Sequence, residues 1–98
     1  MAFVQVIEFH TQDPDSVQEI NAQWEQATAG KRTARRQIVT RDRNEPDRYL
    51  AMVFFDSYES AMENSRLPET EAFAAQYGAV VDGQPHFHDL DVLSDEQL

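Results

Sequence analysis

The run RYLAMVFFD, residues 48 to 56, carries apolar side chains at almost every position. A half-buried strand alternates apolar with polar residues, whereas a strand that is apolar on both faces needs cover on both. A chain of 98 residues has room for one hydrophobic core. The segment therefore reads as a central strand of a single domain spanning residues 1–98, and the rest of the chain must supply its cover.

The flanking segments read as follows. AFVQVIEFH, residues 2 to 10, alternates and is rich in β-branched and aromatic types, which predicts a strand. Asp13 is placed to cap a helix, Pro14 suits its first position, and Asp15 sits at the positive end of its dipole. Val17, Ile20, Trp24 and Ala27 recur at spacings of three and four as one apolar stripe. Gly30 suits a left-handed terminus, so this helix is expected over about 14 to 29. TARRQIVTRD, 33 to 42, is a second strand, broken by Asn44 and Pro46. After the central strand, Asp56-x-x-Glu59 predicts a capping box for a helix that Pro68 interrupts. The helix resumes to Gly78, with Phe73 and Tyr77 on one face. GAVVDGQP then reads as a loop, and residues 85 to 93 as the last strand.

The order βαββαβ predicts an α+β, ferredoxin-like fold: a four-stranded antiparallel sheet with both helices on one face and the first and third strands in the centre. The other face is then uncovered. Since the third strand is apolar on that side too, a second copy packed sheet against sheet is the economical cover.

Composition narrows the function. The net charge of −10 argues against nucleic acid as a partner. The absence of cysteine excludes disulfides, thiolate catalysis and cysteine-ligated metals. No apolar stretch approaches membrane-spanning length and the N-terminus lacks signal-peptide features, so a cytoplasmic protein without a membrane partner is expected. Six of the eight basic residues fall between Lys31 and Arg43. Such a segment could bind an anionic ligand, pair with acidic residues of the same or another chain, or form a solvated edge strand, and the last two are the plainer readings.

All three histidines lie on the first and last strands. If Val4 faces Val92 and Val6 faces Leu90, then Glu8 faces His88 and His10 faces His86. This register would gather Glu8, His10, His86 and His88 at one end of one face. Three imidazoles and a carboxylate can tune a general base, or ligate zinc, copper or iron. A cross-strand polar contact on the surface is the plainer reading. Tyr49 and Tyr58 could donate to a polar ligand or sit at the edge of the core. No glycine-rich phosphate loop, zinc-protease helix or Ser-His-Asp order is present.

VFFDSYESAMENSRLPETEAF, residues 53 to 73, following this strand order, resembles the second half of an antibiotic-biosynthesis-monooxygenase domain of the dimeric α/β-barrel superfamily. The shared features are an aromatic-acidic corner closing a strand, a helix, and a kink leading to a Phe-containing turn. The resemblance implies a homodimeric barrel with a small-molecule pocket between sheet and helices in each subunit. It also implies a cofactor-independent monooxygenase acting on an aromatic or polyketide-like substrate, and contacts of Arg35, Arg36, Arg41 or Arg43 with Asp89, Asp91, Asp95 and Glu96 of the other copy across the dimer seam. Tyr49, Asn64 and Trp24 are candidates for binding the substrate, Trp24 reading first as a core residue of the helix stripe. Haem-degrading relatives carry a histidine near the kink where this chain has Asn64, which disfavours haem. Two alternatives stay open: a non-catalytic binding or assembly protein of the same fold, and a metal-dependent enzyme using His10, His86 and His88.

Overall fold

A computed structural model describes residues 1–98. Strand β1 (Phe3–His10) is followed by helix α1 (Pro14–Ala27), β2 (Arg36–Arg41), β3 (Arg48–Phe55), helices α2 (Tyr58–Ser65) and α3 (Pro68–Val80), and β4 (Asp82–Asp91). The four strands form one antiparallel sheet in the order β2-β3-β1-β4. No helix is long and apolar enough to cross a membrane.

Local chemistry accounts for most of the boundaries. Asp13 caps α1, its carboxylate accepting the Ser16 N–H at 3.2 Å with Pro14 at the first turn. Gly30 takes φ +80° just beyond the helix, a conformation that costs a residue with Cβ. At α2 the cap is Ser57 rather than Asp56. Ser57 Oγ accepts the Ser60 N–H at 3.0 Å and Ser60 Oγ accepts the Ser57 N–H at 3.1 Å, so a pair of serines replaces the expected Asp56–Glu59 box. Asp56 is engaged elsewhere, by Arg35.

Two further expectations are corrected. Helix α3 does not stop at Gly78 but continues to Val80, and β4 begins at Asp82, so the expected loop is mostly ordered structure. The β1–β4 register is displaced by two residues: Val4 pairs with Leu90, Val6 with His88 and Glu8 with His86. Beyond Glu8 the ladder bulges and His10 pairs with Asp82. Gly83 at φ +73° and Pro85, which has no N–H to pair, accommodate the extra residues. A two-residue shift preserves every side chain's face, so the expected grouping by face survives while the partners change.

Strand β3 shows the consequence of one-sided cover. Tyr49, Ala51, Val53 and Phe55 are buried beneath the helices; Leu50, Met52 and Phe54 between them are only half-buried. Two clusters form the core on the helix side. Phe9, Val17, Tyr49, Ala51, Tyr77 and Val81 make one, and Phe3, Val53, Phe55 and Ala61 the other.

Candidate functional site

Between the sheet and the helices the core is not filled. Ala51, at the centre of the sheet, is flanked by Ile7 on β1 and Val39 on β2, and its single methyl leaves space above it. On α1, residues 17, 21 and 24 share a face, which brings Val17, Asn21 and Trp24 over this floor. On α3 the same spacing brings Thr70, Phe73 and Tyr77, and α2 contributes Asn64.

Two chambers result, with Asn21 in the wall of both. The first, about 240 Å³, lies among Phe9, Val17, Gln18, Val39 and Tyr49. The second, about 60 Å³, is lined by Trp24, Gln37, Asn64 and Tyr77 over Ala51 and Val53. A further groove of about 250 Å³ shares Gln5, Ile7, Thr70, Phe73 and Tyr77 with the second chamber and reaches Phe87 on β4. The three follow one another beneath the helices from the β2 side to the β4 edge, each smaller than the ~300–1,000 Å³ of a typical small-molecule site.

The walls are aromatic. Phe9 stacks on Tyr49 with centroids 5.5 Å apart and meets Tyr77 edge-on at 5.1 Å, while Phe73 lies 5.2 Å from Tyr77 and 5.9 Å from Trp24. Trp24 is held by its own N–H, which donates to Thr70 Oγ1 at 3.0 Å. Against these walls stand a few polar groups. Asn64 is buried and its Oδ1 accepts the Thr33 N–H at 3.2 Å, leaving its amide nitrogen without a partner inside the protein. Asn21 and Gln37 contribute two more carboxamides. Burial pushes the Tyr77 phenol well above its ordinary pKa, so it stays protonated and can donate. Neither chamber is lined by a carboxylate, imidazole, lysine or arginine.

Tyr49, Asn64 and Trp24 therefore all border this space. Asn21, Gln37 and Ala51 were missed. Asn21 falls inside the Val17–Trp24 stripe, and Gln37 alternates onto the helix side with Val39, but single amides in such positions look like ordinary surface residues.

Glu8, His10, His86 and His88 stand on the opposite, helix-free face. His88 Nε2 lies 3.5 Å from Glu8 Oε1, and His86 is paired across the ladder from Glu8. Arg48 is the hub here: its Nε donates to Glu8 at 3.1 Å and its Nη1 to Asp42 at 2.8 Å. Hydrogen bonding from Arg48 holds the Glu8 carboxyl below its ordinary value, with a smaller effect from His88. His10 is carried away by the bulge and lies 3.7 Å from Glu45. The three imidazoles therefore do not meet, and no group of three or more His, Asp or Glu side chains is placed to hold a metal ion. The arginines expected at a dimer seam are partly occupied within the chain: Arg35 donates to Asp56 at 2.6 and 3.0 Å, and Arg36 lies over the Phe54 ring at 5.9 Å.

No protein-family profile matches the sequence, and no curated protein matches it. Solved structures do match in shape. SnoaB from Streptomyces nogalater, a cofactor-independent oxygenase, superposes with a TM-score of 0.81 over 96% of this chain and 95% of its own, at 14% identity. A Caulobacter crescentus protein assigned by name to the antibiotic biosynthesis monooxygenases gives 0.81 over 95% and 91%, also at 14% identity. Rv0793 from Mycobacterium tuberculosis gives 0.78 over 99% and 100%, at 13% identity. The fold is that of the antibiotic-biosynthesis-monooxygenase domain. At these identities the likeness concerns the ferredoxin-like backbone, and the chemistry rests on this chain's own residues.

Proposed function

We propose that this chain is a homodimeric small-molecule-binding protein that oxidises an electron-rich aromatic, polyketide-like substrate with dioxygen and without a cofactor. The observation that carries this reading is the pair of chambers beneath the helices: aromatic walls suited to a fused-ring ligand, unpartnered amide and phenol donors, and no charged group in either lining, Glu71 bordering only the outer groove. Without a cofactor, the substrate itself must reduce oxygen, so it must form a stabilised anion. For a methylene between two aromatic rings, the ring carbon loses two hydrogens and gains a carbonyl oxygen. One atom of dioxygen enters that carbonyl and the other leaves as water.

The cavity's contribution to such a reaction is electrostatic. Donors such as the Asn64 amide and the Tyr77 hydroxyl favour the oxyanion of the enolised substrate over its neutral form, in a site screened from water by Phe9, Phe73 and Trp24. The missing carboxylate or imidazole requires a substrate acidic enough to ionise without a protein base. That same feature favours the second reading, a binding protein with no chemistry.

The half-buried Ile38, Leu50, Met52 and Phe54, with exposed Leu90, support a second copy on the helix-free face. In such a dimer Glu8, His86 and His88 lie inside the barrel, away from the cavity.

Anthrone tests the reading, since it becomes anthraquinone plus water with one dioxygen. Catalysed formation carrying one atom from labelled dioxygen, lost in Asn64→Leu and kept in His86→Ala/His88→Ala, is the expected result. Binding without turnover supports the non-catalytic reading. Loss in the histidine variant alone moves the chemistry to Glu8, His86 and His88.

A further inference from the structure

A separate cleft of about 260 Å³ lies outside the cavity, between the end of α1 and the start of β2. It is lined by Glu25, Arg32, Arg35 and Arg36, and it shares Trp24, Gln37 and Val53 with the inner chamber. Those three side chains thus border both spaces, the aromatic cavity and the cleft that holds the arginines. On a chain of net charge −10, such a cleft is an exception to the surrounding surface.

The arginines are not equivalent. Arg35 is neutralised by Asp56, which takes two of its N–H groups. The Arg36 guanidinium lies over Phe54, toward the helix-free face. Arg32 has no carboxylate partner. Its Nη1 donates to the Glu25 backbone oxygen at 2.7 Å and to Thr28 Oγ1 at 3.3 Å, which fixes the guanidinium plane 5.9 Å from the Trp24 ring centroid. A planar fork held by two bonds, with its other N–H groups free, is preorganised for a carboxylate. Glu25 opposes this charge, and with Arg35 neutralised by Asp56 and Arg36 turned aside, the cleft's attraction for an anion rests on the free N–H groups of Arg32 rather than on a net positive charge.

We infer that this cleft, with Arg32 as its anchor, receives an anionic substituent of the aromatic ligand, a carboxylate whose ring system lies in the cavity beyond Trp24. The inference rests on the cavity reading above and names its substrate class: an acid rather than a neutral polyphenol. Trp24 is the chain's only tryptophan and borders both spaces, so its emission reports occupancy of either.

The test compares two tricyclic probes, anthracene-9-carboxylate and 9-anthracenemethanol, by calorimetry and Trp24 emission. At low salt the carboxylate should bind about five- to tenfold tighter than the alcohol, the range of partly exposed charge-assisted bonds, and high salt should shrink the preference. Arg32→Gln should remove the preference while leaving the alcohol's affinity unchanged, and Arg32→Lys should restore part of it. Arg66→Gln, an arginine outside the cleft, should change neither. Equal binding of the two probes, or a preference that survives Arg32→Gln, overturns this inference alone. So does loss of the preference in the presence of inorganic phosphate at the carboxylate's concentration, which would mark a site for free anions. Failure of both probes to bind overturns the cavity reading and this inference with it.

Discussion

The two faces of the sheet are built from the same four strands, residue by alternate residue, and yet pose opposite problems. On the helix side, Ala51 lies under a roof of helices that does not quite reach it, leaving partly open space with neutral polar groups at its margin. On the other side, its neighbour Met52 stands half-exposed in an apolar patch that gives way to charge at the Arg48 end. One face has room for a guest, and the other lacks a cover. On the proposed function, neighbouring positions on β3 would separate ligand binding from assembly, because a strand's pleat sends consecutive side chains to opposite faces.

The largest test of that separation is Met52→Glu. A carboxylate forced into the proposed sheet-to-sheet contact has no partner there, and the proposed dimer should weaken by about a thousandfold in sedimentation equilibrium, the several kcal/mol of an uncompensated buried charge. Ala51→Leu is next. The larger side chain should enter the space above Ala51 at less than the ~1–3 kcal/mol typical of overpacking, read from the urea midpoint. Binding of a tricyclic ligand should then fall about a hundredfold, measured by calorimetry, while the dimer is unchanged. Exchange of the two phenotypes would show that the faces have been assigned the wrong way round.

The smallest effect is expected at the charged end. Glu8 and Asp42 both titrate below their ordinary values of 4.5 and 3.8: Glu8 chiefly through Arg48, Asp42 first through the Asn44 N–H and then through Arg48. A carboxyl depressed in the folded state contributes stability above its unfolded value and loses it as pH falls through the folded one. Arg48→Met should therefore lower the urea midpoint at neutral pH, and the difference from the parent should fade below pH 4.5. A gap that persists undiminished in acid would assign Arg48 a packing role instead.

How much of this could be read beforehand differs between fold and site for physical reasons. Element order followed from strong local signals: Asp13–Pro14, the alternation of residues 3 to 10, and the apolar run at 48 to 55. The capping box was misplaced by one residue because Asp56 and Ser57 are both good caps, and only the tertiary pair with Arg35 decides between them. The β1–β4 register failed because apolar matching is almost as good two residues away. The real register is favoured by contacts that a hydrophobic pattern does not reveal, including the Gln5 amide donating to Asp89 at 3.1 Å. The bulge at Gly83 and Pro85 then separated His10 from the other two histidines. Asn64 and Trp24 were legible as candidates, whereas the space they border was not, since a cavity is defined by what Ala51 lacks.

The strand order carries a consequence in time. Strand β1 emerges first from the ribosome but lies between β3 and β4, whose residues come some forty and eighty positions later. Until then its ladder groups have no native partner, and the junction at Thr11, whose hydroxyl donates to the Val80 carbonyl oxygen at 2.7 Å, cannot close. Strand β3 finds both its partners, β2 and β1, already made, whereas the β1 edge that β4 covers stays open until residues 82–91 follow, so it is this last ladder whose closure is delayed.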